Sequence, residues 1–177
     1  KIKEAVGNTS KLTALSRGRN LFGYNPYPEE VIEGFNRLSV QAGVDVMRIF
    51  DALNDTSNLA STIKYVKENN GIADGAVCYT VDPKLQDEKR FFGLIRKQRH
   101  FEPLFTVDYF VEKAKIIEGL GADMITLKDM AGLVPPKQTS EIIKRFKQEL
   151  KVPINFHTHC TPGFGLASVL TAITSGI

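Results

Sequence analysis

Residues 31–50 read VIEGFNRLSVQAGVDVMRIF, and within this stretch a helical pattern changes into a strand. The first apolar residues recur at intervals of four, three and four positions, on one face of a helix: Val31, Phe35, Leu38 and Ala42. Gly43 ends this helix, and the apolar-rich residues 44–50 are typical of a buried strand. A helix that leads directly into a strand is the repeating unit of an α/β protein.

The same alternation continues along the whole chain. We predict strands at residues 12–15, 44–50, 76–80 and 124–127, and a fifth that begins at residue 153. We predict helices that begin near residues 28, 59, 106, 135 and 166. Strict alternation of this kind predicts a parallel sheet with right-handed crossover connections.

The spacing of the strand ends leaves two architectures open. These ends are 34, 30, 47 and 29 positions apart: Arg17, Asp51, Val81, Lys128 and His157. A βαβ unit takes about 30 residues, so the third interval holds about 17 residues too many. An open doubly wound sheet and a (β/α)8 barrel both fit. Because a closed barrel takes about 250 residues, the count alone favours the open sheet.

The surplus in the third interval predicts an insertion at about residues 82–105. Residues 84–105 carry six Lys and Arg against three Asp and Glu, together with four Phe, whereas the whole chain has a net charge of only +3. One interpretation is a docking surface for an anionic partner. The other, which we favour, is a surface insertion whose Phe residues pack on the core while its charges are solvated.

Composition indicates a single domain and excludes several classes of protein. The chain has 177 residues, 42% of them apolar, which is enough to bury one core. No apolar run approaches the roughly 20 residues of a membrane helix, residues 1–11 contain no secretory signal, and the small net charge gives no reason to expect nucleic acid. Cys78 and Cys160 are too far apart in sequence for a CxxC motif, which favours a reduced, cytoplasmic setting.

The sequence His157-Thr158-His159 is a candidate metal site. In a strand, residues two positions apart project from the same face, so both imidazoles point in one direction. Neutral imidazole binds Zn, Mn, Co or Fe, and two imidazoles on one strand can share an ion. The alternative is a pair of hydrogen-bonded histidines at a strand end.

Lys128 directly follows the predicted apolar strand at residues 124–127 and begins the sequence Lys128-Asp129-Met130-Ala131-Gly132. Partial burial there lowers the pKa of a lysine and frees its amine to act as a base, form a Schiff base or take up CO2 as a carbamate. A carbamate is anionic and can bind a metal through oxygen. The alternative is an ion pair between Lys128 and Asp129.

Two arginines lie near the carboxyl ends of the first two strands, where α/β proteins bind ligands. Arg17, in Arg17-Gly18-Arg19-Asn20, can hold a carboxylate through two hydrogen bonds. Arg48 precedes the end of its strand, and we expect it to form a structural ion pair.

Five motifs occur along the chain in the order found in a known family. They are Arg17-Gly-Arg-Asn-Leu-Phe-Gly-Tyr24, Arg48-Ile-Phe-Asp-Ala-Leu-Asn54, Cys78-Tyr-Thr80, Lys128-Asp-Met-Ala-Gly132 and His157-Thr-His-Cys-Thr161. Together they resemble the carboxyltransferase domain of biotin-dependent enzymes: oxaloacetate decarboxylase α subunits, pyruvate carboxylases and the carboxyltransferase subunit of transcarboxylase. Aldolase-type barrels of acyl-CoA lyases and synthases share the two histidines but lack the lysine motif.

The resemblance implies a (β/α)8 barrel that holds a divalent metal such as Zn, Mn or Co. Its ligands would include carbamylated Lys128, His157 and His159, and the metal would stabilise the enolate of pyruvate as a carboxyl group passes between the keto acid and biotin. Arg17 would bind the keto-acid carboxylate, and Tyr24 would lie near the biotin pocket. The implied partners are a biotin carboxyl carrier domain and, in the parent complex, a biotin carboxylase or a membrane decarboxylase subunit, in an oligomer.

The family's first two strands and its eighth strand have no counterpart in the sequence. The first of them carries the Asp that is the fourth metal ligand. The resemblance therefore implies strands three to seven of the barrel, a fragment of an oxaloacetate- or pyruvate-dependent enzyme whose activity alone is doubtful. A folding or assembly module without turnover, and less favourably an acyl-CoA lyase or synthase, are the alternatives.

Overall fold

A computed structural model describes residues 1–83 and 102–177, which form one parallel sheet with helices packed on it. The strands are β1 (Thr13–Ser16), β2 (Val46–Phe50), β3 (Ile72–Cys78), β4 (Met124–Asp129) and β5 (Ile154–Thr158). Their order in the sheet is β1-β2-β3-β4-β5, and every neighbouring pair is parallel. The predicted α/β alternation is therefore confirmed.

Six α-helices accompany the strands in the described part of the chain. They are α1 (Ile2–Val6), α2 (Glu29–Gln41), α3 (Ala60–Glu68), α4 (Val107–Gly119), α5 (Pro136–Glu149) and α6 (Gly165–Thr174). The sequence did not predict α1, a single turn that buries none of its side chains. Thr106 caps α4 as its residue type suggests, since its hydroxyl accepts a hydrogen bond from the Tyr109 backbone N–H at 3.2 Å. Within the described residues, no helix is long and apolar enough to cross a membrane.

The strand order decides between the two architectures. Neighbouring helices along the chain pack against each other, α2 on α3, α4 on α5 and α5 on α6, and they cover one face of the sheet. A doubly wound sheet would reverse its strand order and carry helices on both faces. The open doubly wound sheet favoured by counting is therefore wrong, because a count of units contains no information about their order. The fold is an arc of consecutive (β/α)8 barrel units.

Alternation along the strands separates the two faces of the sheet. The face under the helices is apolar and forms the main core with them: Met47, Ile49, Ala73, Val77, Ile125, Leu127, Ile154 and Phe156. The other face corresponds to the interior of a barrel, and we call it the inner face. It carries most of the polar and charged residues of the strands, so the chemistry that the sequence suggests is confined to one side.

Strand β3 begins earlier than predicted and ends at Cys78. Asp74 and Gly75 interrupt its apolar pattern, which is why the sequence suggested a start at residue 76. The structure shows why Asp74 and Gly75 can nevertheless occupy a buried strand. Gly75 faces helix α4, where a Cβ atom would overlap the side chain of Ile117, and Asp74 is buried on the inner face.

The base of the predicted insertion is fixed to the domain. The Asp82 carboxylate accepts hydrogen bonds from the backbone N–H groups of Leu104 at 3.0 Å and Phe105 at 3.3 Å. Phe105 packs against the main core and lies edge-on to Tyr109, with ring centroids 5.2 Å apart. One of the four Phe residues thus packs on the core. The other three, with all six Lys and Arg of the insertion, lie outside the described residues.

Candidate active site

The two histidines lie together on the inner face at the end of β5. Their rings stack with centroids 5.0 Å apart and an angle of 13° between the planes. The predicted same-face arrangement is confirmed. Burial lowers the pKa of His157 to about 4, with further lowering by the positive charges of Lys128 and Arg48. At neutral pH, His157 is therefore uncharged, and one of its ring nitrogens has a lone pair.

Lys128 lies on β4 directly opposite His157 in the strand register. Its side chain is 2% exposed, and its ammonium nitrogen lies 4.8 Å from the centroid of the Phe50 ring. Burial lowers the pKa of Lys128, which increases the fraction of free amine. On its other side, β3 places Cys78 in register with Lys128. Burial raises the pKa of Cys78 to about 12, so the thiol is neutral and provides no countercharge.

Asp129 does not pair with Lys128, so the predicted alternative of a Lys128–Asp129 ion pair is wrong. The Asp129 carboxylate accepts hydrogen bonds from the backbone N–H groups of Leu133 at 2.8 Å and Val134 at 3.2 Å. It also accepts one from the hydroxyl of Thr158 on β5 at 3.1 Å. Consecutive residues of a strand point to opposite faces, which directs Asp129 away from Lys128. Asp129 thereby fixes the loop after β4 against β5.

A buried ion pair lies beside the histidines. The Arg48 Nε atom donates to Asp74 Oδ2 at 2.6 Å, and the hydroxyl of Thr126 donates to Asp74 Oδ1 at 2.7 Å. The Nη1 atom of Arg48 lies 3.2 Å from His157 Nδ1. Burial raises the pKa of Asp74, and the hydrogen bonds from Arg48 and Thr126 oppose that rise.

The structural ion pair expected for Arg48 is therefore confirmed, but the sequence analysis missed its partner. Asp74 fell outside the predicted third strand. The signal that could have found it is the alternation in Ile72-Ala73-Asp74-Gly75-Ala76, which places Asp74 on the same face as Ala76.

Arg17 and Tyr24 lie in the loop after β1, at the far edge of the same sheet end. The Arg17 guanidinium carbon lies 5.5 Å from the centroid of the Tyr24 ring, and Tyr24 is 91% exposed. The structure thus brings these two predicted site residues together. It places them three strands from Lys128, which corresponds to roughly 14 Å across a sheet.

Asn58, which the sequence analysis did not single out, holds the Arg17 loop in place. Its side-chain oxygen accepts the backbone N–H of Arg19 at 3.2 Å, and its side-chain nitrogen donates to Asp51 at 2.8 Å. Gly18 packs directly on the Asn58 carbonyl with a φ of +53°, and a Cβ atom at this position would overlap the oxygen. The loop after β1 is therefore fixed to the loop after β2.

The inner-face groups can contribute to a metal site without completing one. Residues 1–83 and 102–177 contain no cluster of three or more His, Cys, Asp or Glu that could hold an ion. The candidate donors are His157, His159 and the Lys128 amine, which would offer oxygen if carbamylated. Two imidazoles and an oxygen donor suit Zn, Mn or Co, so the residues present fit such an ion.

The chain is similar in sequence to one protein family and to several known proteins. The HMGL-like family model matches residues 37–177. A pyruvate carboxylase subunit of Methanocaldococcus jannaschii is 38% identical over 175 residues, which are 99% of this chain and 27% of that protein. The methylmalonyl-CoA carboxyltransferase 5S subunit of Propionibacterium freudenreichii is 37% identical over 95% of this chain and 30% of its own length.

A solved structure shows the same fold. The carboxyl transferase domain of Rhizobium etli pyruvate carboxylase, determined with pyruvate and biocytin, superimposes with a TM-score of 0.85 at 34% identity. The match covers 99% of this chain and 27% of that one. The predicted partial barrel and the resemblance to carboxyltransferase domains are thus confirmed. The chain spans between about a quarter and a third of the length of each of these proteins.

Proposed function

The chain belongs to the HMGL-like family, and on this basis we propose that it forms part of the active site of a biotin-dependent carboxyltransferase. The reaction moves a carboxyl group between oxaloacetate or pyruvate and biotin. In this proposal, residues 1–177 are one partial carboxyltransferase domain with a basic insertion at about residues 82–105.

The position of Lys128 is the observation that carries the proposal. A lysine that is 2% exposed, in register with His157 and without a carboxylate partner among the described residues, is costly for folding alone. Its lowered pKa supports a chemical role, because CO2 reacts with the free amine and not with the ammonium ion. Carbamylated Lys128 would then hold a divalent metal together with His157 and His159.

The remaining site residues have separate roles in this proposal. Arg17 binds the carboxylate of the keto acid, and Tyr24, which lies against it, borders the biotin pocket. A bound divalent metal would supply a Lewis acid for the oxygen of the keto group. The neutral Cys78 thiol and the Phe50 ring border the Lys128 amine and keep its surroundings apolar.

The proposal includes partners and a setting. The carboxyl group would be carried by a biotin carboxyl carrier domain and supplied by a biotin carboxylase, or released in a complex with a membrane decarboxylase subunit. Such an enzyme would be an oligomer. The two free cysteines, Cys78 and Cys160, are consistent with a reduced, cytoplasmic setting.

A second candidate is a folding or assembly module without turnover. The small number of metal donors supports this alternative. The described part of the chain contains no cluster of three or more His, Cys, Asp or Glu that could hold an ion. An acyl-CoA lyase or synthase is less favoured, because it would leave the burial of Lys128 without a role.

Oxaloacetate decarboxylation tests the proposal and separates it from the second candidate. The assay contains the chain, Zn²⁺, bicarbonate and free biotin, and pyruvate formation is measured. We expect slow pyruvate formation that Lys128→Ala abolishes and that Lys137→Ala, a change at an exposed lysine on α5, leaves intact. Wild-type protein with no rate above that of Lys128→Ala would favour the assembly module.

A further inference from the structure

Arg48 makes a contact that bears on the ligand chemistry of His157. Its Nη1 atom lies 3.2 Å from His157 Nδ1, while its Nε atom donates to the buried carboxylate of Asp74. A guanidinium can only donate hydrogen bonds. Nδ1 of His157 must therefore be the acceptor, and its lone pair points at Arg48.

This hydrogen bond fixes the tautomer of His157. A neutral imidazole has one nitrogen with a lone pair and one that carries a proton. Since Nδ1 accepts from Arg48, the proton is on Nε2, and neither nitrogen has a lone pair free for a metal ion. Ligation by His157 in any orientation requires that the contact with Arg48 be broken.

The position of Arg48 is set by its buried neighbours. Arg48 and Asp74 are register partners on adjacent strands, and Asp74 is fully buried. Thr126 on β4 holds the second carboxylate oxygen of Asp74 at 2.7 Å. Arg48 can therefore release His157 and remain paired with Asp74, so the contact with His157 can open without leaving an unpaired buried charge.

We propose that Arg48 is a positioning residue that competes with a metal ion for the lone pair of His157. This inference rests on the metal role proposed above for His157 and adds a competitor to that role. Occupation of the site requires Arg48 to leave Nδ1 while Asp74 and Thr126 keep it nearby. The affinity of the site is then set partly by a residue that is not a ligand.

Zinc titration of the purified chain, with a chromophoric chelator as competitor, tests the competition. Arg48→Lys keeps a positive charge for Asp74 but shortens the reach toward His157. Because a hydrogen bond to a charged donor is lost, we expect Arg48→Lys to bind Zn²⁺ about tenfold more tightly than wild type. Arg145→Lys, the same change at a surface ion pair on α5, should leave the affinity unchanged. Equal or weaker binding by Arg48→Lys would overturn the proposal.

Nitrogen-15 NMR of the wild-type chain with EDTA tests the contact without a variant or a metal. We expect His157 to be present as the Nε2–H tautomer, with Nδ1 as a hydrogen-bond acceptor. A proton on Nδ1 would overturn the proposal even if Arg48→Lys failed to fold. If neither the wild type nor Arg48→Lys bound Zn²⁺, the proposed metal role of His157 and the competition would both be wrong. The tautomer seen by NMR would still show whether Arg48 orients the His157 ring.

Discussion

At the scale of single residues, Lys128 and Arg48 both lie beside His157 on the inner face. Burial is the main cause of the lowered pKa values of His157 and Lys128. The charges of Lys128 and Arg48 lower the pKa of His157 further, and that of Arg48 also lowers the pKa of Lys128. Asp74 is the buried carboxylate that pairs with this group, and it binds Arg48 rather than Lys128. The burial of Lys128 is therefore the reason that we propose a chemical role for it.

Arg17→Lys should raise the KM for the keto acid in a decarboxylation assay. A guanidinium offers a carboxylate two parallel hydrogen bonds, whereas an ammonium group offers a single point of contact. Loss of one charge-assisted hydrogen bond costs about 1.5–3 kcal/mol, which corresponds to a roughly 10- to 150-fold higher KM. Arg19→Lys, in the same loop, is the matched control and should leave KM unchanged. Equal KM values for Arg17→Lys and wild type would remove Arg17 from the substrate site.

Acid should destabilise the fold partly through His157. Its pKa is about 4 in the folded protein against an ordinary value of 6.5, so the unfolded chain binds the proton first as the pH falls. Stability that is present above about 6.5 is therefore lost as the pH falls toward about 4. His157→Gln does not titrate there, and urea denaturation at several pH values with EDTA should show a shallower loss for this variant. Parallel curves for the two proteins would contradict the low pKa.

The sequence predicted the site residues that lie in recognisable motifs. Lys128, His157 and His159 were found because a lysine at a strand end and two histidines at a spacing of two are unusual patterns. Asp74 and Asn58 were missed because their roles depend on contacts with residues 26 and 39 positions away. Such contacts follow from the strand register and the loop packing, which local patterns do not reveal.

At the scale of elements, the local signals placed most strands and helices correctly. The start of β3 was predicted too late in the chain, because Asp74 and Gly75 interrupt its apolar pattern. In the structure Gly75 lies within the strand, where α4 packs too closely to leave room for a side chain. The order of the strands could not be read from periodicity, and the resemblance in motifs supplied it.

The loop after β1 provides a test of how closely neighbouring elements must pack. Gly18→Ala and Gly7→Ala each add a Cβ atom at a similar φ, +53° and +58°. The Cβ atom at residue 18 would overlap the Asn58 carbonyl, whereas the one at residue 7 would meet no atom within 4 Å. A positive φ strains an added side chain at both positions. Overlap with Asn58 should therefore lower the free energy of unfolding of Gly18→Ala by about 1–3 kcal/mol more, as measured by urea denaturation. Equal losses would show that the loop can move away from Asn58.

At the scale of the whole molecule, the sheet has two outer strands. Within the described residues, β1 pairs only with β2, and β5 pairs only with β4. Unpaired backbone groups along a strand favour pairing with another chain. β1 also carries Leu15, which is 51% exposed on the inner face. The polar inner face and the two outer strands thus have different consequences, one for chemistry and one for association.

We expect the isolated chain to self-associate, as measured by light scattering after size-exclusion chromatography. A charge on an edge strand opposes pairing, so Leu15→Lys should shift the protein toward monomer. Leu53→Lys, at an exposed leucine in the loop after β2, is the control and should have little effect. A wild-type chain that stays monomeric at high concentration would show that its edges are protected.

The purified chain should contain much less than one metal ion per molecule, with unmodified Lys128. A site that lacks an anionic ligand binds weakly, and without a metal the carbamate reverts to amine and CO2. Mass spectrometry of the dialysed protein measures the metal content. One tightly held ion per chain that is lost in His157→Ala would show that the described donors are sufficient.

Carbon-13 NMR of the chain with labelled bicarbonate, recorded with and without Zn²⁺, tests the proposed metal site most directly. We expect a carbamate signal that appears with Zn²⁺ and is absent in both Lys128→Ala and His157→Ala, because the carbamate and the imidazoles would bind one ion. Lys137→Ala should retain the signal. A wild-type spectrum without a carbamate signal in the presence of Zn²⁺, or a signal that persists in Lys128→Ala, would contradict the assignment of this inner face as a carboxyltransferase metal site.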